Sequence, residues 1–238
     1  MAQDYILVND VKYPLRIYLE NRNSSRVSIV KSGVNIRLPR GMREKDIEKQ
    51  ILQYKDWAIE KLKARKESQP KQKIYKNGDE LKVGTKKYTI KITKSSRKTH
   101  GYKLEDNWII LNLSKTQKSD QPKIKRLISR AVADDWRPWL EQRVEELNKS
   151  SFNQTINQIH IKYNKSNWGS CSSRSNINIS TRLFFAPPEV IDYVIVHELA
   201  HLIEHNHSLR FWALVSKAIP DYNDKRKWLK ENFRKCDF

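Results

Sequence analysis

Hydrophobic and polar residues alternate with a period of two through most of the first forty positions, which is the spacing of half-buried strands. Polar or glycine-containing turns separate four such segments: 6–8, 13–18, 27–30 and 34–38. At 43–66 the spacing changes to three and four residues, which predicts an amphipathic helix. The apolar stripe of this helix consists of Ile47, Ile51, Tyr54, Ala58 and Leu62.

A second set of strands follows and includes 88–92 and 108–113. Beyond it, apolar positions at helical spacing run through 124–147 and predict a long helix, which Pro138 would kink or divide. We find no repeat in the sequence.

The polar segment 114–121 is the best internal boundary. It divides a β-rich, basic N-terminal region at 1–116, with one amphipathic helix, from a second domain at 117–238. Because strands and helices are segregated along the chain, the pattern favours an α+β protein whose N-terminal region is antiparallel.

The helix predicted at 189–202 is apolar on nearly all sides and follows Pro187 and Pro188, so it belongs inside the fold. It contains the sequence His-Glu-Leu-Ala-His at 197–201. Histidines at positions i and i+4 share one helix face and can reach one metal ion. The glutamate between them is close enough to act as a general base on activated water, which is the zincin arrangement.

A third ligand requires the helix to end soon after His201. Ten helical residues would carry His207 about 15 Å from His197, whereas zinc–nitrogen bonds are about 2.0–2.1 Å long. The chain must therefore fold back, with Ser208 as the N-cap of a further helix. Glu204 is the alternative third ligand.

Other interpretations of these residues remain open. The histidines could satisfy hydrogen bonds within a buried helix instead of binding a metal. The thiolate of Cys171 could be a fourth metal ligand, but it would then occupy the coordination position that catalysis requires to be open. We therefore expect Cys171 to be a small buried residue near the site.

The motifs resemble those of the YgjP-like metallopeptidase domain family and, more distantly, SprT-like and WLM-type zincins. The resemblance implies a zincin-like fold with an active-site helix, one zinc ion, ligands at His197, His201 and His207, and Glu198 as catalytic base. It rests on Trp-Gly-Ser-Cys-Ser at 168–172, Asn-Ile-Asn-Ile at 176–179, Pro187, Asp-Tyr-Val at 192–194, the helix motif, Asn-His-Ser at 206–208 and Phe-Trp at 211–212.

The alternating segment 176–183 is a candidate substrate platform, because an extended peptide can pair with a strand edge beside a zincin helix. Asn178 and Arg182 share its polar face and are the candidate substrate-binding residues. An interior strand with a surface arginine is the alternative.

Positive charge is concentrated away from the histidine motif. The chain carries a net charge of +20, and residues 61–103 hold 15 Lys or Arg against three acids, a net +12. Such a segment suggests nucleic acid or a nucleotide as a partner, although a solvated lysine-rich surface would have the same composition.

Two cysteines are too few for a disulfide scaffold, and no apolar run reaches transmembrane length. We therefore expect a cytoplasmic protein. The sequence favours a zinc metallohydrolase that cleaves peptide bonds in a protein or peptide substrate. A nucleoside triphosphate pyrophosphatase using the same metal site, and a nucleic-acid-binding module with a structural zinc, are the alternatives.

Overall fold

The computed structural model describes residues 4–30, 32–67, 73–116 and 120–238. Within these residues the protein is α+β, with five α-helices and three sheets. The chain forms two compact units, Met1–Lys71 and Gln72–Phe238. None of the described helices is long and apolar enough to cross a membrane.

The first unit is a four-stranded sheet with the order β1-β2-β4-β3, followed by one helix. The outer pairs are antiparallel, but the central pair β2–β4 is parallel, which corrects the expectation of an antiparallel region. The chain passes through β3 at the far edge before entering β4, so β4 runs in the same direction as β2. The elements are β1 (Tyr5–Val8), β2 (Val11–Glu20), β3 (Arg26–Val30), β4 (Gly33–Pro39) and α1 (Glu44–Glu67).

One face of this sheet packs against α1. The period-two pattern points Ile6, Leu15 and Ile36 to the same side, where Ala58 and Leu62 of the helix are fully or almost fully buried. The predicted helix 43–66 and the four predicted strands correspond to these elements.

The second unit begins with the same arrangement. Its first sheet has the order β5-β6-β8-β7, with antiparallel outer pairs and a parallel central pair, and a helix follows it. The topology of the first unit is thus repeated, although the sequence shows no repeat. The elements are β5 (Glu80–Val83), β6 (Lys86–Ser95), β7 (Gly101–Glu105), β8 (Trp108–Ser114) and α2 (Gln121–Ser151).

Helix α2 is continuous, so Pro138 does not divide it. Trp136 and Leu140, on either side of the proline, are buried in the core and hold the helix together across the lost hydrogen bond. The boundary expected at 116/117 adjoins residues 117–119, which are outside the described residues. It falls inside the second unit, because β8 and α2 contribute to one hydrophobic core.

The remaining elements pack either onto α2 or onto α3 (Pro188–Ala200). A three-stranded sheet has the order β10-β11-β9, with β11 antiparallel to β10 and parallel to β9. Arg143 of α2 forms a bidentate ion pair with Asp192 of α3, with both N–O distances 2.7 Å. The elements are β9 (Gln158–Lys162), β10 (Gly169–Cys171), β11 (Asn176–Ser180), a 3-10 helix (Thr181–Phe185), α3 (Pro188–Ala200), α4 (Leu209–Ala218) and α5 (Tyr222–Asn232).

Candidate metal centre

Helix α3 carries the first histidine and the glutamate into the protein interior. Pro188 occupies its first turn, where a missing N–H costs nothing. The helix is surrounded by protein on most sides, so His197 is half-buried and Glu198 is only 4% exposed. Its buried apolar residues are Val190, Ile191, Tyr193, Val194, Ile195, Val196, Leu199 and Ala200.

The helix ends at Ala200, as the geometric argument required. His201 is the C-cap, and Glu204 N–H donates to Ala200 O at 2.9 Å, which closes the turn. Ser208 is confirmed as the N-cap of α4, because its side chain accepts a hydrogen bond of 3.2 Å from Phe211 N–H. The chain therefore folds back between the two helices and returns position 207 to α3.

The three histidine side chains come together at this turn. One ring nitrogen from each of His197, His201 and His207 lies within 4.8 Å of the others, and the Nε2 atoms of His197 and His207 are 3.1 Å apart. Two nitrogens bound to one tetrahedral zinc would be about 3.3 Å apart. His201 Nδ1 donates to Glu204 O at 3.0 Å, which fixes its ring and leaves Nε2 for a ligand. Phe211 packs against all three rings.

The electrostatics of the cluster favour neutral imidazoles. Burial and, to a smaller extent, the charges of the neighbouring His201, His207 and Arg226 together lower the pKa of His197 to about 3. Burial also lowers the pKa of His201. Neutral imidazole is the form that ligates a metal, so the donor set suits one divalent ion. The alternative ligand Glu204 is not in the cluster of potential ligands, which within the described residues is the only one found.

Glu198 is held against a glycine that sequence reasoning used only as part of the family resemblance. A Cβ atom on Gly169 would lie 2.6 Å from Glu198 Oε1 and 2.9 Å from its carboxyl carbon, so only glycine leaves room for the carboxylate. Burial raises the pKa of Glu198 to about 8. A glycine at the start of a strand does not by itself indicate a functional role. The role of Gly169 is evident only when the position of α3 beside it is known.

A cleft of about 880 Å³ opens beside His197 and Glu198. One wall is the segment 166–169, which includes Trp168. The other wall is the C-terminal helix α5 and the residues after it, which sequence reasoning did not assign to the site. Three cations spaced by four residues lie on that wall: Arg226, Lys230 and Arg234.

Asn178 and Arg182 do not share the substrate-binding strand face that the sequence had predicted. Strand β11 ends at Ser180, and Arg182 lies in the 3-10 helix, only 4% exposed. Its guanidinium donates to the carbonyl oxygens of Lys165, Phe233 and Cys236, so its donors hold the C-terminal segment. Asn178 is half-buried, with its Nδ2 3.5 Å from Ser170 Oγ, and neither side chain lines the cleft.

The strand that has a free edge near the histidines is β10, and not β11 as the sequence had predicted. β11 is paired on both sides, so it offers no free edge, and β10 is the edge strand. Ser180 N–H donates to Trp168 O, and Ser172 N–H donates to Asn176 O. Since facing groups alternate along an antiparallel pair, the main-chain groups of Gly169 and Cys171 point away from β11. Cys171 is half-buried and burial raises its pKa to about 11, so its thiol stays protonated at neutral pH.

The basic segment 61–103 is divided between the two units. Residues 61–67 end α1, 68–72 lie outside the described residues, and 73–103 include β5, β6 and β7. Several of its lysines form ion pairs: Lys86 with Asp135 at 2.8 Å, Lys87 with Glu80 at 2.7 Å, and Lys103 with Glu105.

Comparison with known proteins identifies one family and several proteins that are similar to part of the chain. The sequence model of the YgjP-like metallopeptidase domain matches residues 23–232. A stretch of 75 residues is 31% identical to UTP pyrophosphatase of Escherichia coli (strain K12), covering 30% of this chain and 45% of that protein. The chain thus spans less than half the length of this curated relative.

Two solved metallopeptidase zymogens are also similar to part of the chain. Abylysin of Pyrococcus abyssi is 23% identical with a TM-score of 0.37, and jannalysin of Methanocaldococcus jannaschii is 22% identical with a TM-score of 0.35. Each match covers 40% of this chain and 96% of the other.

Proposed function

We propose that this chain, which belongs to the YgjP-like metallopeptidase domain family, is a zinc-dependent hydrolase that cleaves peptide bonds. His197, His201 and His207 would hold one zinc ion, on a zincin-like framework with α3 as the active-site helix. The observation that carries the proposal is the convergence of three imidazole nitrogens beside a buried carboxylate. Three ligands leave a coordination position open, as catalytic zinc sites require, whereas structural sites use four.

A zinc ion at this centre would supply Lewis-acid activation of water and of the scissile carbonyl group. Glu198 would accept the proton of the attacking water and return it to the leaving amine. Burial raises the pKa of its carboxyl group to about 8, and a neighbouring cation would favour the carboxylate and lower that pKa. Gly169 leaves the space that this carboxylate occupies.

The free edge of β10 offers a site for an extended peptide. The main-chain groups of Gly169 and Cys171 point outward, and Gly169 is in contact range of Glu198. A peptide that pairs with this edge would run past the carboxylate, in the manner of strand addition. The neighbouring cleft would accept its side chains.

Metal analysis combined with a proteolysis assay tests this function. We expect one zinc ion per chain in the wild type. His207→Ala should lose the bound zinc, because only two of the three imidazole ligands remain. Glu198→Gln should keep the metal and lose about 10²–10⁴-fold in the rate of cleavage of an unfolded protein. Glu204→Gln, on the turn, is the matched control and should keep most activity. Full cleavage by Glu198→Gln, or full zinc occupancy in His207→Ala, would contradict the proposal.

The row of cations on α5 and just after it favours a second candidate function, hydrolysis of a nucleoside triphosphate to release pyrophosphate. Arg226, Lys230 and Arg234 line the cleft beside His197 and could hold a triphosphate. The similarity to a UTP pyrophosphatase points to the same chemistry, although it covers 45% of that protein.

Pyrophosphate release from UTP, measured beside peptide cleavage, separates the two candidates. Lys230→Glu should raise the KM for a triphosphate strongly and leave cleavage of a neutral peptide almost unchanged. Lys227→Glu, on the same helix but not lining the cleft, controls for the change in net charge. Failure to release pyrophosphate from any of the four common nucleoside triphosphates would remove this candidate.

A further inference from the structure

The face of the first sheet that points away from α1 is rich in arginine and tyrosine. Strand pairing fixes which residues share this face, since side chains alternate between the two sides. We call it the outer face of the first sheet, and it consists of Tyr5, Leu7, Lys12, Pro14, Arg16, Tyr18 and Glu20 on β1 and β2, and Arg26, Ser28, Val30, Gly33, Asn35, Arg37 and Pro39 on β3 and β4.

The two tyrosines on this face lie well apart and are open to solvent. Tyr5 is 50% exposed and Tyr18 is 38% exposed. Tyr5 pairs with Pro14, four residues before Tyr18 on β2, so the two backbone positions are about 13 Å apart along the strand direction. The Lys12 ammonium lies 4.7 Å from the Tyr5 ring centre, and the Arg37 guanidinium lies 5.3 Å from that of Tyr18.

The arginines of this face lie on the strands around Tyr18. Tyr18 pairs with Arg37, and Arg37 pairs with Arg26, so the three side chains form one row across β2, β4 and β3. Arg16 precedes Tyr18 by two residues on the same face, and its guanidinium donates to Ser32 O and Oγ. Glu20 is the single acid of this face and pairs with Arg37 at 2.7 Å.

The repeated sheet of the second unit shows that the fold does not require this composition. Matching registers place Glu80 at the position of Tyr5 and Thr93 at that of Tyr18. Gly101 and Asn112 take the positions of Arg26 and Arg37. The cations of that face are lysines, and its two acids, Glu80 and Glu105, form ion pairs with Lys87 and Lys103.

We propose that the outer face of the first sheet binds single-stranded nucleic acid. Tyr5 and Tyr18 stack on bases, which every base allows because each has a π-face. Arg16, Arg26 and Lys12 contact the phosphates, and guanidinium groups suit phosphate better than ammonium groups do. A duplex keeps its bases stacked inside, so it cannot use the tyrosines. This site is separate from the metal centre and does not depend on the proposed hydrolytic activity.

Fluorescence anisotropy with the full chain tests the proposal. The probes are a labelled 20-nucleotide RNA without secondary structure, its DNA counterpart, and the duplex made from each. We expect both single strands to bind at least about tenfold more tightly than the duplexes. Arg16→Glu with Arg26→Glu should weaken single-strand binding at least about tenfold and reduce the salt dependence by about 1.4 log units per log unit of salt. Tyr5→Ala with Tyr18→Ala should also weaken it about tenfold at unchanged net charge.

The matched control is Lys82→Glu with Lys91→Glu, which makes the same change in net charge on the equivalent face of the second sheet. We expect this control to change binding by less than about threefold, and circular dichroism should show all variants folded. Equal binding of duplex, an equal loss in the control, or unchanged binding in the tyrosine variant would each overturn the proposal. His207→Ala should bind single strands as the wild type does, and a loss there would assign the binding to the metal cleft instead.

Discussion

The two four-stranded sheets of this protein have the same strand order and the same pairing directions, and a helix follows each. They differ in what the helix packs against. Helix α1 completes a small core with its own sheet, whereas α2 lies in a core that also includes β11 and α3. The topology is therefore common to both, and the candidate metal centre lies in the elements that follow the second copy.

The two sheets are similar where they face a core and different where they do not. Inner-face positions are similar in the two sheets: Leu15 and Ile36 in the first correspond in register to Ile90 and Leu111 in the second. The outer faces diverge, because no shared core constrains them. The histidine cluster needs a rigid support for α3, and the bidentate pair of Arg143 with Asp192 ties α3 to α2.

The comparison predicts different consequences for equivalent core truncations. Ile36 and Leu111 are both 0% exposed, so Ile36→Ala and Leu111→Ala should each lower the free energy of unfolding of their own unit by about 2–5 kcal/mol. Only Leu111→Ala should also weaken zinc binding, because its core includes α3. Urea unfolding and zinc competition with a chromogenic chelator measure the two effects. Equal loss of zinc affinity in Ile36→Ala would show that the first unit also supports the centre.

Two glycines, each at the start of a strand, allow the repeated sheet to be compared with the elements that follow it. Gly101 begins β7 and Gly169 begins β10, but only the Cβ of an alanine at 169 would collide with Glu198. Gly169→Ala should displace the carboxylate and lower the hydrolytic rate about 100-fold, with zinc retained. Gly101→Ala, where no atom lies within 4 Å of the new methyl group, should keep full activity. Steady-state kinetics and zinc content check this prediction, and equal rates in the two variants would be incompatible with it.

The smallest expected effect concerns the first turn of each copy. Asn9 and Gly84 hold equivalent positions and both have a positive φ, 49° and 57°. Asn9→Gly should change the free energy of unfolding by less than about 1 kcal/mol, because both residues adopt this conformation. Gly84→Asn should cost about 1–3 kcal/mol, since its Cβ would lie 2.8 Å from the Trp136 ring and 3.0 Å from Phe184 O. Thermal unfolding measures both, and an equally small effect at 84 would mean that this turn is not confined by its neighbours.

The sequence alone determined the local features of this protein. Period-two alternation predicted the first four strands, and helical spacing predicted α1 and α2. The spacing of His197, His201 and His207 required α3 to end and the chain to turn back if all three were to bind one metal ion. Each of these is encoded within a few neighbouring residues, so pattern and geometry are sufficient.

The tertiary structure alone decided the features that join distant segments. The parallel central pairs and the repeated topology depend on which strands become neighbours, which alternation does not encode. The wall formed by α5, the burial of Arg182 and the space that Gly169 leaves for Glu198 arise because segments far apart in the chain pack together. Burial and close contact are properties of that packing, and no local pattern carries them.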